Sequence, residues 1–152
     1  MQPTQYLEDL QTGEIRRSRL TTVSQKDIVN FASQWDPQYF HADPQAAQNH
    51  AFGEIAASGI HILALWRQLD HEISGNVRWI CGVSWESLRW ANPLHAEQPF
   101  RAHWEVLEKR YSSKPGRGVL TLTYALLRDD DEPLFTCRAV SLVEARGTPE
   151  PS

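Results

Sequence analysis

The first half of the chain carries apolar residues at the spacing of α-helices. One apolar stripe consists of Ile28, Phe31, Ala32 and Trp35. It predicts a helix that begins after Ser24, which forms an approximate capping box with Asp27, and that ends at Asp36 before Pro37. Residues 58–73 are rich in Leu, Ile, Ala and Trp and contain no proline. They predict a longer helix that is buried on most sides.

The second half of the chain alternates apolar and polar residues, as strands do. The alternation is clearest in residues 100–111, where the apolar positions are Phe100, Ala102, Trp104 and Val106. Further strands are predicted at residues 83–90, 118–128 and 134–145, after a first extended segment at residues 14–23. Short connectors rich in turn residues join them, which predicts an antiparallel sheet. A long apolar helix wrapped by such a sheet is an α+β architecture.

The composition is that of a single globular domain. Of the 152 residues, 41% are hydrophobic and 22% are charged, so a domain with its own apolar core is expected over residues 1–146. The tail GTPEPS, residues 147–152, is expected to be disordered. The formal net charge of -4 argues against a general nucleic-acid binder.

The sequence lacks the usual signs of membrane insertion and export. No uninterrupted apolar run is long enough to span a bilayer, and the start, MQPTQYLEDL, lacks the basic and apolar regions of a secretory signal. Cys81 and Cys137 are far apart and match no metal-binding spacing. Both are expected to be reduced, packed thiols in a cytoplasmic protein.

The stretch SQWDPQYFHAD places Asp36 and His41 five positions apart between the two predicted helices. As purely structural residues, Asp36 would end the first helix and His41 would be a loop histidine, and short polar motifs often match by chance. Asp43 and His50 are nearby metal-ligand candidates, but Asp43 before Pro44 is typical of an N-cap. A carboxylate and an imidazole can also hold and activate one water molecule, so the spacing leaves both interpretations open.

The start of the long helix adds a second element of acyl chemistry. The amide of Gly59 would have no acceptor within its own helix, so it could stabilise negative charge that develops on a carbonyl oxygen. Ser58 is expected to cap this helix rather than to orient the site. His61 follows two positions later and is expected to be a packed histidine rather than a third catalytic group.

The stretches FASQWDPQYFHADPQAA and FGEIAASGIH resemble the MaoC-like dehydratases, which include the R-specific enoyl-CoA hydratases. The family signature is an aromatic residue, an Asp, a His five positions later and small residues that open a helix. The matching positions are Phe31, Asp36, His41, Ala46 and Ala47. Further matches follow in the family's order: Phe52, Gly53 and Gly59, then Arg89, Trp90 and Pro93. The resemblance extends from about residue 24 to residue 143.

The resemblance implies the hot-dog fold, in which a long helix is wrapped by an antiparallel sheet, and a homodimer or a larger assembly of dimers. It implies an acyl-thioester hydro-lyase in which Asp36 and His41 activate water. Ser58 and Gly59 would bind the substrate, with the Gly59 amide polarising the thioester carbonyl. Coenzyme A would enter only as part of the substrate, and no metal or redox cofactor would be needed.

Two alternatives keep this fold and change the function. Hot-dog thioesterases usually carry an acid on or near the central helix, where Glu54 and Glu72 are poorly matched candidates. A non-catalytic acyl-CoA-binding or structural protein would result if Trp35 and Tyr39, which replace the family's usual Gly and Pro, fill the pocket.

Several residues outside the signature are candidates for pocket or coenzyme A contacts. The residues beside the pair and along the resemblance are Trp35, Tyr39, Phe52 and Arg89. The tryptophans that either line a pocket or belong to the core are Trp66, Trp79 and Trp90. A basic cluster would either bind the phosphates of coenzyme A or, as we favour, lie in a solvated hairpin turn. Its residues are Lys109, Arg110, Lys114 and Arg117.

Overall fold

The computed structural model describes residues 2–147. Within this range, the helices are α1 Gln25–Trp35, α2 Tyr39–Ala42, α3 Pro44–Ala47 and α4 Gly59–Ser74, and a short 3-10 helix spans Leu7–Asp9. The strands are β1 Ile15–Arg17, β2 Trp79–Trp90, β3 Phe100–Tyr111, β4 Arg117–Arg128 and β5 Pro133–Glu144. The last five residues of the tail predicted at 147–152 lie outside the described residues.

The five strands form one antiparallel sheet in the order β1-β3-β4-β5-β2. The α4 helix lies against one face of this sheet, and the largest fully buried side chains come from both elements. Trp66 of α4 contacts Tyr124 of β4 and Phe135 of β5 with ring centroids 4.8 and 5.1 Å apart. Trp66 therefore belongs to the core, and the α+β architecture predicted from the sequence is confirmed.

The strand predictions are accurate where the alternation is strong. The bounds of β3 match exactly, those of β4 differ by one residue at the start, and those of β5 differ by one residue at each end. The first strand is much shorter than predicted, because only three residues pair continuously with β3 before a single bridge from Thr21 to Phe100. β2 begins earlier than predicted, at Trp79, and its pairing with β5 shifts register three times. This irregular pairing obscures the alternation of apolar and polar residues in the sequence of β2.

The two predicted N-caps of α1 and α3 are present. The hydroxyl of Ser24 accepts a hydrogen bond of 3.1 Å from the Asp27 amide. The carboxylate of Asp43 accepts from the amides of Gln45 and Ala46 at 3.0 and 3.1 Å. These contacts fix where the helices on either side of the Asp36–His41 stretch begin.

Two burial predictions are wrong. The α4 helix is buried along one side only, since a single sheet covers one face and Ile60 at its first turn is 46% exposed. Trp35, placed in the apolar stripe of α1, is 62% exposed because it occupies the last helical position, where little of the core faces it.

Both cysteines are free, but only Cys137 is buried. Cys81 on the β2 edge strand is exposed, which contradicts the prediction of two packed thiols.

Lys114 of the basic cluster lies in the β3–β4 turn as expected, whereas Lys109 donates hydrogen bonds to the carbonyls of Leu7 and Glu8. Among the described residues, no helix is long and apolar enough to cross a bilayer.

Candidate active site

Two local breaks in the chain bring the acid and the histidine together. α1 ends at Trp35, because Asp36, the residue before Pro37, cannot continue the helix. The amide of Asp36 still donates to the Ala32 carbonyl. The one-turn helix α2 then follows, and its third residue is His41. The turn reverses the chain, so that His41 faces back towards Asp36 rather than away from it.

The imidazole of His41 lies close to the carboxylate of Asp36. His41 Nε2 is 3.9 Å from Asp36 Oδ2, which is beyond a direct hydrogen bond and suits a contact through a shared water molecule. His41 Nδ1 lies 2.6 Å from the carbonyl oxygen of Ala56. Because a carbonyl only accepts, Nδ1 carries the proton in the neutral ring and Nε2 keeps a free lone pair beside the carboxylate.

Ser58 joins this pair from the start of α4. Its hydroxyl is fully buried and donates a hydrogen bond of 2.6 Å to Asp36 Oδ2. Ser58 occupies the N-cap position of α4, yet its side chain caps no helix amide. The prediction that Ser58 acts as a side-chain cap is therefore wrong, because its hydroxyl is turned towards the half-buried Asp36 carboxylate and accepts from no amide of the helix.

Gly59 is the first residue of α4 and packs directly against Trp90. Its N–H has no partner within the helix. The indole Nε1 of Trp90 donates to the Gly59 carbonyl at 3.1 Å, and a Cβ at position 59 would lie 3.0 Å from the indole ring. Glycine thus suits this close approach, and the helix start is held in place by a tryptophan 31 positions further along the chain.

A mainly apolar cavity of about 260 Å³ opens beside this helix start. We name it the Gly59 cavity; its lining includes Phe52, Ala56, Gly59, Ile62 and Trp90. It brings Phe52 and Trp90, two of the pocket candidates, to the residues that hold the pair. Trp35 and Tyr39 do not line this cavity and are exposed, so neither narrows it.

Arg89 points away from this group of residues. It lines a second, open cavity on the other face of the sheet, together with Arg17 and Arg138. Neighbouring residues of a strand face opposite sides, so Trp90 and Arg89 cannot serve the same cavity.

The two acids considered for a thioesterase are paired with other residues. Glu72 pairs with Arg19 at 3.2 Å, and Glu54 lies 3.5 Å from His95.

His95 is a residue of this region that the sequence reasoning missed. Its Nδ1 lies 2.9 Å from the carbonyl oxygen of Ile55, and its backbone pairs with Ala56 in an isolated bridge. It therefore braces the segment whose Ala56 carbonyl accepts from His41. No sequence signal marks His95, because its partner lies 40 positions away.

His61 is packed, as expected from the sequence. Its ring stacks on Phe31 with centroids 4.3 Å apart, and its buried Nδ1 has no partner among the described residues. Burial lowers the pKa of His61 below its ordinary value, and the charge of Asp27 opposes this shift. Within residues 2–147, no group of three or more His, Cys, Asp or Glu side chains is placed to hold a metal ion.

Comparison with known families shows which family this chain belongs to. The model of the MaoC like domain matches residues 9–126. This protein belongs to the MaoC-like dehydratase family. The match spans the Asp36–His41 pair, the whole of α4 and most of the sheet, so the resemblance seen in the sequence is confirmed.

Similar proteins carry the same fold over most of the chain. A MaoC-like dehydratase from Rhodospirillum rubrum is 32% identical, with a TM-score of 0.86 over 93% of this chain and 98% of that chain. An (R)-hydratase from A. caviae involved in PHA biosynthesis is 19% identical, with a TM-score of 0.72 over 91% of this chain and 99% of that one. The hot-dog fold is thus confirmed. The uncharacterized protein YdeM of Bacillus subtilis is 28% identical over 85% of this chain and 92% of its own length.

Proposed function

We propose that this MaoC-like protein catalyses the reversible hydration of a 2-enoyl thioester to a 3-hydroxyacyl thioester, with coenzyme A as the expected carrier. The observation that carries the proposal is the placement of Asp36 and His41 beside the free amide of Gly59. Ser58 links the two parts through its 2.6 Å hydrogen bond to Asp36. Membership of a dehydratase family supports the same class of reaction.

The pair is suited to holding one water molecule. The Asp36 carboxylate and the unprotonated Nε2 of His41 are two acceptors 3.9 Å apart, and a water between them can donate one hydrogen to each. The water oxygen then attacks C3 of the enoyl group while one of its protons passes to the pair. A proton returns to C2, so that the elements of water are added and the pair is restored.

The Gly59 amide is suited to the charge that develops during this addition. As C3 is attacked, negative charge moves onto the thioester oxygen and forms an enolate. The amide at the first turn of α4 is a donor with no helix partner, and the helix dipole adds partial positive charge there. The same contacts serve the reverse dehydration. This chemistry needs proton transfer alone, with coenzyme A only as part of the substrate.

The alternative functions gain no support from the geometry. A thioesterase would need Glu54 or Glu72 at the reaction centre, but both are exposed and paired with other residues. A binding protein without activity was expected if Trp35 and Tyr39 filled the pocket. Both side chains lie outside the Gly59 cavity, and Asp36 and His41 are not part of its lining either. The hydro-lyase is therefore favoured by the Asp36–His41 geometry and by membership of a dehydratase family.

The edge strand β2 supports the proposal of a homodimer. β2 has twelve residues and pairs only with β5, which leaves its outer edge open. Its exposed large apolar residues are Ile80, Val83, Trp85 and Trp90. A long open edge with exposed apolar side chains is unfavourable in a soluble monomer, and pairing with β2 of a second copy would cover it.

The test is hydration of crotonyl-CoA and of longer enoyl-CoAs, followed by loss of the conjugated thioester absorbance. Asp36→Asn and His41→Ala should each lower kcat by a factor of at least about 100. Asp129→Asn and His71→Ala, which change exposed residues of the same types, serve as matched controls. Unchanged turnover in the first two variants, or none in the folded wild type at any chain length, would overturn the proposal.

A further inference from the structure

The outer face of the sheet, opposite α4, carries a row of side chains that crosses all five strands. Arg17 of β1 pairs with His103 of β3, and His103 pairs with Ala125 of β4. Ala125 pairs in turn with Thr136 of β5, and Thr136 pairs with Arg89 of β2. Directly paired residues point to the same side of a sheet. We name these five residues the outer row; four strand spacings of about 4.8 Å place its two arginines roughly 19 Å apart along the sheet.

The outer row forms the base of an open cavity of about 710 Å³, which we name the outer cavity. All five residues of the row line it, together with Ser87, Thr123 and Arg138. The smallest side chains of the row, Ala125 and Thr136, lie between the long side chains of its two ends. A volume of this size is within the range of sites for small molecules.

The charges of the outer cavity favour an anion. Its lining contains three arginines, Arg17, Arg89 and Arg138, and one carboxylate, that of Asp131. Asp131 lies at the β1 end, where it pairs with Arg101 at 2.5 Å and with Arg17 at 4.0 Å. The β2 end is therefore the place where positive charge remains available, in a chain whose formal net charge is -4.

Arg89 is the free cation at the β2 end. Its guanidinium makes no hydrogen bond or ion pair with any residue in the described range 2–147. Arg138 lies diagonally across from it and donates to Glu86 through one nitrogen at 2.5 Å, which leaves its other N–H groups available. Diagonal neighbours on paired strands lie about 7–8 Å apart, within reach of long side chains. Both guanidinium groups can therefore meet at one anion, with a single carboxylate beside them.

Two hydroxyl groups complete the β2 end. Thr136 is paired directly with Arg89, and Ser87 lies in the stretch between Glu86 and Arg89 where the register shifts. Ser87 has a φ of 51°, in the left-handed region that serine rarely adopts, and such bulges often re-aim a side chain at a functional site. A phosphate ester has three acceptor oxygens and a charge close to -2 at pH 7, which suits two guanidinium groups and two hydroxyls better than a carboxylate does.

The rest of the row offers a neutral donor. Arg17 Nε donates to His103 Nδ1 at 3.2 Å, so the neutral ring carries its proton on Nε2. Burial lowers the pKa of His103, and the charge of Arg17 adds to this shift, while the charges of Glu105 and Asp131 oppose it. An uncharged acceptor on a ligand that lies over Ala125 can therefore bind His103.

We propose that the outer cavity binds a small molecule that carries a phosphate ester. The phosphate lies at Arg89 and Arg138, and the organic part extends across Ala125 towards His103. This site lies on the other face of the sheet from the Gly59 cavity, and it does not depend on the proposed hydration. A homodimer formed through the edge of β2 would leave this face accessible.

The direct test is a titration with inorganic phosphate at constant ionic strength, followed through the NMR signals of the arginine Nε–H groups. In the wild type, the signals of Arg17, Arg89 and Arg138 should shift in a saturable way. Arg89→Gln should weaken phosphate binding about tenfold to a hundredfold, because it removes charge-assisted hydrogen bonds. Arg110→Gln, which changes an exposed arginine of β3 outside the cavity, should leave binding unchanged. Equal weakening in the two variants, or no saturable shift in the wild type, would overturn the proposal.

A second variant tests the hydroxyl groups. Thr136→Val removes a hydroxyl at nearly equal volume and should weaken phosphate binding about twofold to tenfold. Thr22→Val, at an exposed position outside the cavity, is the matched control. Unchanged phosphate binding in both Arg89→Gln and Thr136→Val would contradict the placement of the phosphate.

Kinetics identify the source of the phosphate group. Crotonyl-CoA carries the phosphates of coenzyme A, whereas S-crotonyl-pantetheine carries none. If Arg89→Gln raises KM for crotonyl-CoA and not for S-crotonyl-pantetheine, the outer cavity binds the phosphates of the substrate. If the variant loses phosphate binding while both KM values stay unchanged, the ligand is a separate phosphorylated molecule. A wild type that hydrates neither thioester but binds phosphate through Arg89 would refute the hydratase and support the outer cavity as a site.

Discussion

The hydroxyl of Ser58 donates a 2.6 Å hydrogen bond to Asp36 Oδ2 across 22 positions of sequence. It fixes the carboxylate relative to His41 and ties the loop that carries the pair to the start of α4. The hydrogen bond is charge-assisted and buried on the serine side, which makes it strong. Ser58 therefore acts on the proposed reaction through Asp36.

Ser58→Ala is expected to lower kcat/KM for enoyl-CoA hydration about 10- to 100-fold, because it frees the Asp36 carboxylate to rotate. Ser24→Ala is the matched control, since Ser24 is also the residue before a helix but its side chain does cap that helix. It should cost about 1 kcal/mol of unfolding free energy and leave kcat/KM unchanged. Equal kinetic effects in the two variants would contradict the role given to Ser58.

Gly59→Ala should destabilise the protein by about 1–3 kcal/mol, because the added Cβ lies 3.0 Å from the Trp90 ring. It should also lower kcat by moving the first amide of α4. Gly82→Ala is the stability control, since a Cβ there meets nothing within 4 Å. Urea unfolding measures the stability of both variants, and the hydration assay measures kcat. If adding Trp90→Phe to Gly59→Ala recovers no stability, steric contact with the indole is not the cause.

The stability of the protein should depend on pH through His61. Its pKa is lowered in the folded state, so the unfolded chain binds the proton more readily. Stability should therefore fall as the pH drops through the ordinary histidine range, from about 7.5 to 5.5. His61→Phe, which keeps an aromatic ring against Phe31, should lose less stability over this interval. His103, whose pKa is also lowered, contributes equally to both proteins.

NMR titration of the histidine ring signals gives an independent check of this prediction. The His61 signal should shift at a pH below the ordinary value of about 6.5. A titration at or above that value would show that burial does not control this group. The same conclusion would follow if the free energy of unfolding of the wild type and of His61→Phe decreased by equal amounts between about pH 7.5 and 5.5.

The open edge of β2 predicts a dimer that can be broken by charge. Val83 is 59% exposed on this strand, and Val83→Lys would place an ammonium group along the paired edges. Sedimentation should show a dimer for the wild type and a monomer for Val83→Lys. Leu107→Lys changes an exposed apolar residue of β3 away from that edge and should remain dimeric. A monomeric wild type would refute the proposed interface.

Local sequence chemistry determined much of this protein. The caps at Ser24 and Asp43 and the end of α1 before Pro37 depend on neighbours within a few positions. The first part of β3, residues 100–106, follows from alternation of apolar and polar residues. Spacing and the family signature also singled out Asp36 and His41, because the turn that joins them is short.

Tertiary structure decided what those residues touch. Ser58 has the position of a cap, but the fold presents it with the Asp36 carboxylate. The proton position on His41 is set by Ala56, and Gly59 is held by Trp90 from 31 positions away. Such contacts leave no periodic trace in the sequence, since each depends on where the sheet and the loops place a distant partner.

Asp70 shows the same division between sequence and fold. In the sequence Asp70 is one acid within a helix, where an exposed position is the ordinary expectation. The sheet folds over that side of α4 and leaves Asp70 1% exposed, with its Oδ2 accepting a hydrogen bond of 2.7 Å from Arg67. Which face of a helix the sheet covers is decided by the packing of all strands together. For that reason the sequence determined the elements and the pair, and only the fold determined the environment of each polar side chain.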